Sequence, residues 1–205
     1  MRTVRWLTSG LALVSLLPAV SAAQSSSARH FEDSWFWGAK AGLVSLSTSG
    51  GGSKAVPAFG AEWLITRSKG ALYLAGEQAF FKTRASIVDE SGTPYTANIQ
   101  NMRRYTAALL AFPAAWGGMR PYGGAGFSMN LVRSGAGAGA PQTFIDRKSS
   151  TSFLLMSGVQ AQYRRISLFG QATFMPARNS LFNRPVYIFE SGVRYNFSSS
   201  RESVR

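Results

Sequence analysis

Apolar and polar side chains alternate along eight stretches of this chain of 205 residues. In the last stretch, for example, Tyr187, Phe189 and Val193 alternate with Glu190 and Arg194. A period of two residues places successive side chains on opposite faces of a β-strand. We therefore predict an all-β fold. The predicted strands are residues 35–46, 56–66, 71–86, 101–112, 120–132, 151–164, 166–174 and 186–197.

The two faces of these strands differ in a way that indicates which one points inward. One face is aliphatic and aromatic, whereas the other is rich in glycine and carries single charges. A narrow barrel filled by its own side chains needs such a mixture of small and charged residues inside. The strands are also long enough to cross a bilayer at a tilt, and their number is even, as in bacterial barrels. We predict an eight-stranded antiparallel up-and-down transmembrane β-barrel over residues 35–197. The predicted lipid-facing aromatics are Trp35, Trp37, Phe59, Trp63, Phe127, Phe153 and Phe189.

The connections between the predicted strands alternate in length. The longer ones are residues 47–55, 87–100, 133–150 and 175–185, and the shorter ones are residues 67–70, 113–119 and 164–165. Outer-membrane barrels have long loops outside the cell and short turns on the periplasmic side. This pattern predicts that both chain termini are periplasmic.

The first residues have the three parts of a secretory signal peptide. Arg2 and Arg5 precede a short apolar core at residues 11–17, and Ala22 and Ala23 are small residues suited to cleavage. We predict a cleaved signal peptide at residues 1–23, an N-terminal periplasmic segment at residues 24–34 and a polar C-terminal tail at residues 198–205. The mature part has no apolar run long enough for a transmembrane helix.

The amino-acid composition and the net charge indicate which cofactors and partners to expect. The chain has no cysteine and one histidine, so no disulfide and no cysteine-ligated or histidine-rich metal site is expected, and we predict no cofactor. The formal charge is +13, and removal of two arginines with the signal peptide leaves (22 − 2) − 9 = +11. Nucleic acid is the usual partner of a basic protein, but export argues against it. Anionic membrane lipids, including lipopolysaccharide, are the expected partners.

Six charged residues fall on the predicted inner face: Lys40, Glu62, Glu77, Arg104, Glu190 and Arg194. Unpaired charge is costly in a narrow lumen, so these residues are expected to form an interior salt-bridge network that plugs the barrel. Because the last strand of a barrel closes against the first, Glu190 is expected near Lys40. A selective pore or a proton-coupled gate is the alternative interpretation.

The sole histidine, His30, is the one candidate for histidine-dependent catalysis. It lies beside Glu32 and Asp33 in the N-terminal segment, before the first strand. Some small barrel enzymes that act on lipid A place their histidine on an outer loop or at the outer rim, whereas His30 is predicted on the periplasmic side. We expect a solvated residue, no catalytic site and no enzymatic activity.

Two segments resemble small outer-membrane β-barrels of the OmpA, OmpX and opacity-protein type. Residues 120–127, Arg-Pro-Tyr-Gly-Gly-Ala-Gly-Phe, resemble a strand start common in that family. Residues 187–197 resemble its C-terminal targeting strand, which the barrel assembly machinery reads; the matching aromatics are Tyr187, Phe189, Tyr195 and Phe197. The resemblance implies a monomer in the bacterial outer membrane.

These observations predict a non-enzymatic envelope protein with a structural or surface-interaction role. Three alternatives stay open. They are a barrel enzyme that modifies lipid A or phospholipid, a small pore, and a soluble periplasmic lipocalin-like carrier, which would have apolar residues in its lumen.

Overall fold

A computed structural model describes residues 31, 33–48, 52–88, 94–134, 150–176 and 184–199. These residues form eight strands, each antiparallel to its neighbours in the chain, and β8 pairs with β1 to close the barrel. The fold is the predicted eight-stranded antiparallel up-and-down barrel. The strands are β1 (Ser34–Thr48), β2 (Gly52–Arg67), β3 (Gly70–Val88), β4 (Pro94–Ala111), β5 (Met119–Ser134), β6 (Ser150–Tyr163), β7 (Ile166–Met175) and β8 (Val186–Ser199).

No helix formed by the described residues is both long and apolar enough to cross a membrane.

The two ends of the barrel are named after the two-residue turns at one end and the two longest connections at the other. The turn end carries residues 68–69, 112–118 and 164–165, together with the start of β1 and the end of β8. The loop end carries the connections 49–51, 89–93, 135–149 and 176–185. Ser68 and Arg164, the first residues of the two shortest turns, both have φ 54°.

The predicted long connections at residues 47–55 and 87–100 are wrong. Strands β1 and β2 leave only residues 49–51 between them, and β3 and β4 leave only residues 89–93. Antiparallel pairing satisfies backbone groups whatever the side chains are, so polar residues continue the ladder beyond the alternating stretch. A bulge between Gln100 and Met102, with Asn101 at φ 60°, also reverses the inward and outward positions within β4.

The interior is apolar towards both ends of the barrel, which differs from the glycine-rich inner face with single charges that the sequence predicted. At the turn end, the Phe31 ring packs edge-on against Phe112 with centroids 4.7 Å apart, and Phe36 lies 6.1 Å from Phe31. Thr66 fixes this segment, because its hydroxyl donates to the Phe31 carbonyl and accepts the Ser34 N–H at 3.1 Å. Phe31 therefore caps the turn end of the barrel. The loop-end cap is aliphatic and consists of Val44, Leu46, Val56, Ile99, Met102, Val132, Leu154, Met156, Met175, Val186 and Ile188.

The outer wall carries exposed large apolar side chains on all eight strands. Trp37 is 50% exposed, and Trp63 is half-buried because the Trp37 ring stacks on it at 5.3 Å and Trp35 meets it edge-on at 5.7 Å. The remaining aromatics that we predicted to face lipid are all exposed on this wall: Trp35, Phe59, Phe127, Phe153 and Phe189. The aromatics of the predicted targeting strand are exposed there as well: Tyr187, Phe189, Tyr195 and Phe197.

Candidate functional site

The six charged residues singled out from the sequence lie between the two apolar caps. We call them the central charge cluster. Each is at most 7% exposed, and they come from five of the eight strands. Three cations meet three carboxylates, so the formal charge of the cluster is 3 − 3 = 0. Its members are Lys40 on β1, Glu62 on β2, Glu77 on β3, Arg104 on β4, and Glu190 and Arg194 on β8.

Four members of the cluster form a closed ring of ion pairs. The Lys40 ammonium lies 2.7 Å from Glu77 and 2.9 Å from Glu190. The Arg104 guanidinium contacts Glu77 and lies 3.4 Å from Glu190. Each charge therefore has two partners of opposite sign, which offsets the high cost of removing these groups from water. The proximity of Lys40 and Glu190 follows from the pairing of β8 with β1.

The remaining two members form a separate pair nearer the turn end. The Arg194 guanidinium donates to Glu62 through Nε and to the Gln160 side-chain oxygen through Nη1, at 2.7 Å for the second bond. Its plane also lies over the Phe169 ring, with the guanidinium carbon 3.9 Å from the centroid. A hydrogen-bonded ion pair reinforced by a cation–π contact fixes the Arg194 side chain in one position.

Tyr73 and Gln171 join the two groups of ions into one network. The Tyr73 hydroxyl donates to Glu62 at 3.0 Å and accepts from Lys40 at 3.1 Å. The Gln171 amide donates to Tyr73 at 3.1 Å and to Glu190 at 2.7 Å. Neither residue was singled out from the sequence. The signal that could have found them is their position: both fall on the inner face, where a polar side chain must meet the buried charges.

Inward-facing glycines make room for these long side chains. A Cβ added at Gly42 would lie 2.2 Å from the Phe189 carbonyl oxygen and 2.8 Å from Cγ of Glu190. At Gly158 it would lie 2.5 Å from Cζ of Tyr122. The glycine-rich inner face therefore reflects a lumen that its own side chains already fill.

Among the described residues, the buried charged side chains are engaged in ion pairs and hydrogen bonds. No group of three His, Cys, Asp or Glu side chains among them is placed to hold a metal ion. His30 and Glu32 lie outside the described residues, and Asp33 lies at the turn end, before β1. In the described part of the barrel, the central charge cluster is a neutral, closed network between two apolar caps.

No model of a known protein family matches the sequence, and no curated protein sequence matches it. Solved structures do match. The neisserial surface protein NspA is 16% identical, covers 80% of this chain and 97% of its own, and superposes with a TM-score of 0.53. OprG from Pseudomonas aeruginosa is 11% identical, covers 83% of this chain and 99% of its own, and has a TM-score of 0.54. The chain has the fold of the small eight-stranded outer-membrane barrels.

This result confirms the resemblance inferred from two short segments of the sequence. In the outer-membrane barrel fold, residues 120–127 form the first half of β5, and residues 187–197 form most of β8. Strand β8 closes the barrel by pairing with β1 and β7. Both segments that carried the resemblance are therefore strands of the barrel wall.

Proposed function

We propose that the mature chain spans the bacterial outer membrane and serves there as a non-enzymatic structural or surface-interaction protein. One observation carries the proposal: every one of the eight strands contributes at least one exposed large apolar side chain to the outer wall. A patch for a protein partner would occupy one side of the molecule, whereas an apolar belt around the whole wall is suited to lipid.

For export and assembly, we propose what the sequence predicts. Residues 1–23 would direct export and be removed, and the segment at residues 24–34 would lie on the periplasmic side, with Phe31 inserted in the turn-end cap and Ser34 already in β1. The barrel assembly machinery would read the aromatics of β8, from Tyr187 to Phe197. Of the tail at residues 198–205, the first two residues continue β8 to Ser199. The protein would act as a monomer without cofactor or nucleic acid, with outer-membrane lipids as its partners.

The closed interior argues against a small pore. The central charge cluster is neutral, and an apolar cap lies on each side of it. Phe31 in the turn-end cap and Ile188 in the loop-end cap are both fully buried. An ion moving through this interior would have to break the ion pairs and cross both apolar layers, each at high cost. The structure therefore supports a plug rather than an open channel.

A soluble carrier and a lipid-modifying enzyme both fit the described residues less well than a membrane-spanning barrel. A lipocalin-like carrier accounts for apolar residues in the lumen, but it requires a polar outer wall, and the outer wall here is apolar and aromatic. A lipid-modifying enzyme requires a nucleophile beside an activating base. The part of the chain that the structure describes contains no histidine, and its buried carboxylates Glu62, Glu77 and Glu190 are all engaged by Lys40, Arg104 or Arg194.

Cell fractionation combined with gel mobility tests this proposal. We expect the protein in the membrane pellet, released by detergent, and running faster on a gel when unheated than after boiling, because a closed barrel resists unfolding by dodecyl sulfate. The variant Val193→Leu keeps the outer wall apolar, and it should fractionate and migrate as the parent protein does. Recovery of the folded protein from the periplasm without detergent would contradict the proposal.

A further inference from the structure

A row of cations lies on the outer wall at the loop end of β3, β4 and β5. Lys82 on β3 and Arg133 on β5 both pair with Gln100 of β4, so their side chains lie on one row across three neighbouring strands. Arg103 lies on the same face of β4, with Nε 3.4 Å from the Gln78 side-chain oxygen. All three cations are exposed. We call Lys82, Arg103 and Arg133 the flank cations.

The described carboxylates all lie elsewhere. Glu62, Glu77 and Glu190 are buried inside the barrel, and Asp33 is at the turn end. Neighbouring strands are about 4.8 Å apart, so the flank cations fall within roughly 10 Å of one another. This part of the wall is therefore a concentration of positive charge at the edge of the apolar belt, with no described acidic side chain on the wall beside it.

An open groove of about 620 Å³ lies on the outer wall, on the turn-end side of the flank cations. Its floor consists of three small residues on adjacent strands, Ala61, Gly76 and Ala107. Tyr105 lines it two positions from Arg103 on β4, and Phe127 lines it on β5. The groove is apolar and faces away from the barrel interior, and the flank cations lie on the same outer face, on its loop-end side.

We infer that this surface binds a phosphorylated lipid of the outer leaflet, with its phosphate on the flank cations and an acyl chain in the groove. The inference rests on the proposed function, because the loop end must face outward for the cations to meet the outer leaflet. Long cationic side chains at a membrane border attract anionic head groups, and charge-assisted hydrogen bonds from guanidinium groups suit phosphate oxygens. Small residues below a polar border leave space that a flexible hydrocarbon chain can fill.

Native mass spectrometry of the full mature chain, refolded in a neutral detergent, tests the inference. The probes are bisphosphorylated lipid A, lipid A from which both phosphates have been removed, and phosphatidylethanolamine. The variant Lys82→Gln/Arg103→Gln/Arg133→Gln removes the flank cations. The matched control Arg67→Gln/Lys69→Gln/Arg164→Gln removes three exposed cations at the turn end.

We expect the flank variant to bind bisphosphorylated lipid A at least ten-fold more weakly than the parent, since each surface cation contributes measurably to binding an anionic lipid. The turn-end control should bind as the parent does, and the parent should bind the dephosphorylated probe and phosphatidylethanolamine more weakly. The inference is overturned if the flank variant binds normally, if both variants lose binding equally, or if phosphate makes no difference to the parent.

A second pair of variants tests the groove independently of charge. Ala107→Trp fills the floor of the groove, whereas Ala161→Trp adds the same bulk to the outer wall of β6, outside the groove. Weaker binding of bisphosphorylated lipid A by the first variant alone supports a seated acyl chain, and equal binding by both excludes one. These measurements use a barrel refolded in detergent, so they give the same answer whether or not fractionation places the protein in the outer membrane.

Discussion

Replacing Arg194 with methionine is expected to lower the free energy of unfolding by roughly 3–5 kcal/mol, the usual cost of removing one partner of a buried ion pair. Arg194 is fully buried, and its guanidinium donates to both Glu62 and Gln160. Its loss leaves the Glu62 carboxylate in the interior with only the Tyr73 hydroxyl as a described donor. The measurement is equilibrium unfolding in urea with the protein in phospholipid vesicles, followed by tryptophan fluorescence.

The double variant Glu62→Gln/Arg194→Met separates the unpaired charge from the lost packing. A glutamine at position 62 removes the charge and keeps an oxygen that accepts from Tyr73, so we expect the double variant to recover more than half of the lost stability. Arg67→Met is the matched control, because Arg67 is exposed at the turn end, where β2 finishes; we expect a change within about 0.5 kcal/mol there. A loss below about 1 kcal/mol for Arg194→Met would show that the interior pair is solvated.

The second large effect is expected one residue away, on the opposite face of the same strand. Val193 is 47% exposed on the outer wall of β8. An arginine on the lipid-facing side of a barrel near the bilayer midplane costs about 2–4 kcal/mol. We therefore expect Val193→Arg to destabilise the protein in vesicles by up to that amount, and more than Val193→Leu does, measured as for Arg194→Met.

The size of this effect distinguishes a lipid-facing wall from a water-facing one. In a soluble protein, a charge introduced at an exposed position usually changes stability by no more than about 0.5 kcal/mol. Val193→Leu provides the control, since it alters the size of the side chain without adding charge. Equal stabilities of the arginine and leucine variants would mean that water, and not lipid, covers the wall at β8.

Period-two alternation made the eight strands predictable, and it also explains where the prediction failed. Alternation is clear where one face meets lipid and the other meets charge, as along residues 186–197. It is lost at residues 47–55, where both faces are polar, although β1 and β2 continue through most of that segment. The alternation also changes phase at Asn101, where β4 has a bulge. Because of this change of phase, the part of β4 before Asn101 was not predicted as a strand.

The members of the central charge cluster could be read from the sequence, but most of their pairings could not. Barrel closure alone brings Glu190 near Lys40. The pairing of Arg194 with Glu62 joins β8 to β2 across β1, which depends on strand tilt and side-chain reach. Phe31 carried no signal at all, because a single aromatic residue in a polar segment has no period from which its burial can be inferred.

Quenching of single tryptophans by brominated lipid tests the central claim most directly, because it shows which face of β1 meets the bilayer. Trp37 is half-exposed on the outer wall, whereas the neighbouring Phe36 is fully buried in the interior. One variant keeps Trp37 and replaces Trp35, Trp63 and Trp116 with phenylalanine. The other makes the same three replacements and also carries Phe36→Trp and Trp37→Phe. In vesicles with brominated acyl chains, we expect strong quenching of the tryptophan at position 37 and almost none at position 36. Equal quenching at the two positions, or stronger quenching at position 36, would contradict a barrel with an apolar wall in lipid and a charge-paired interior.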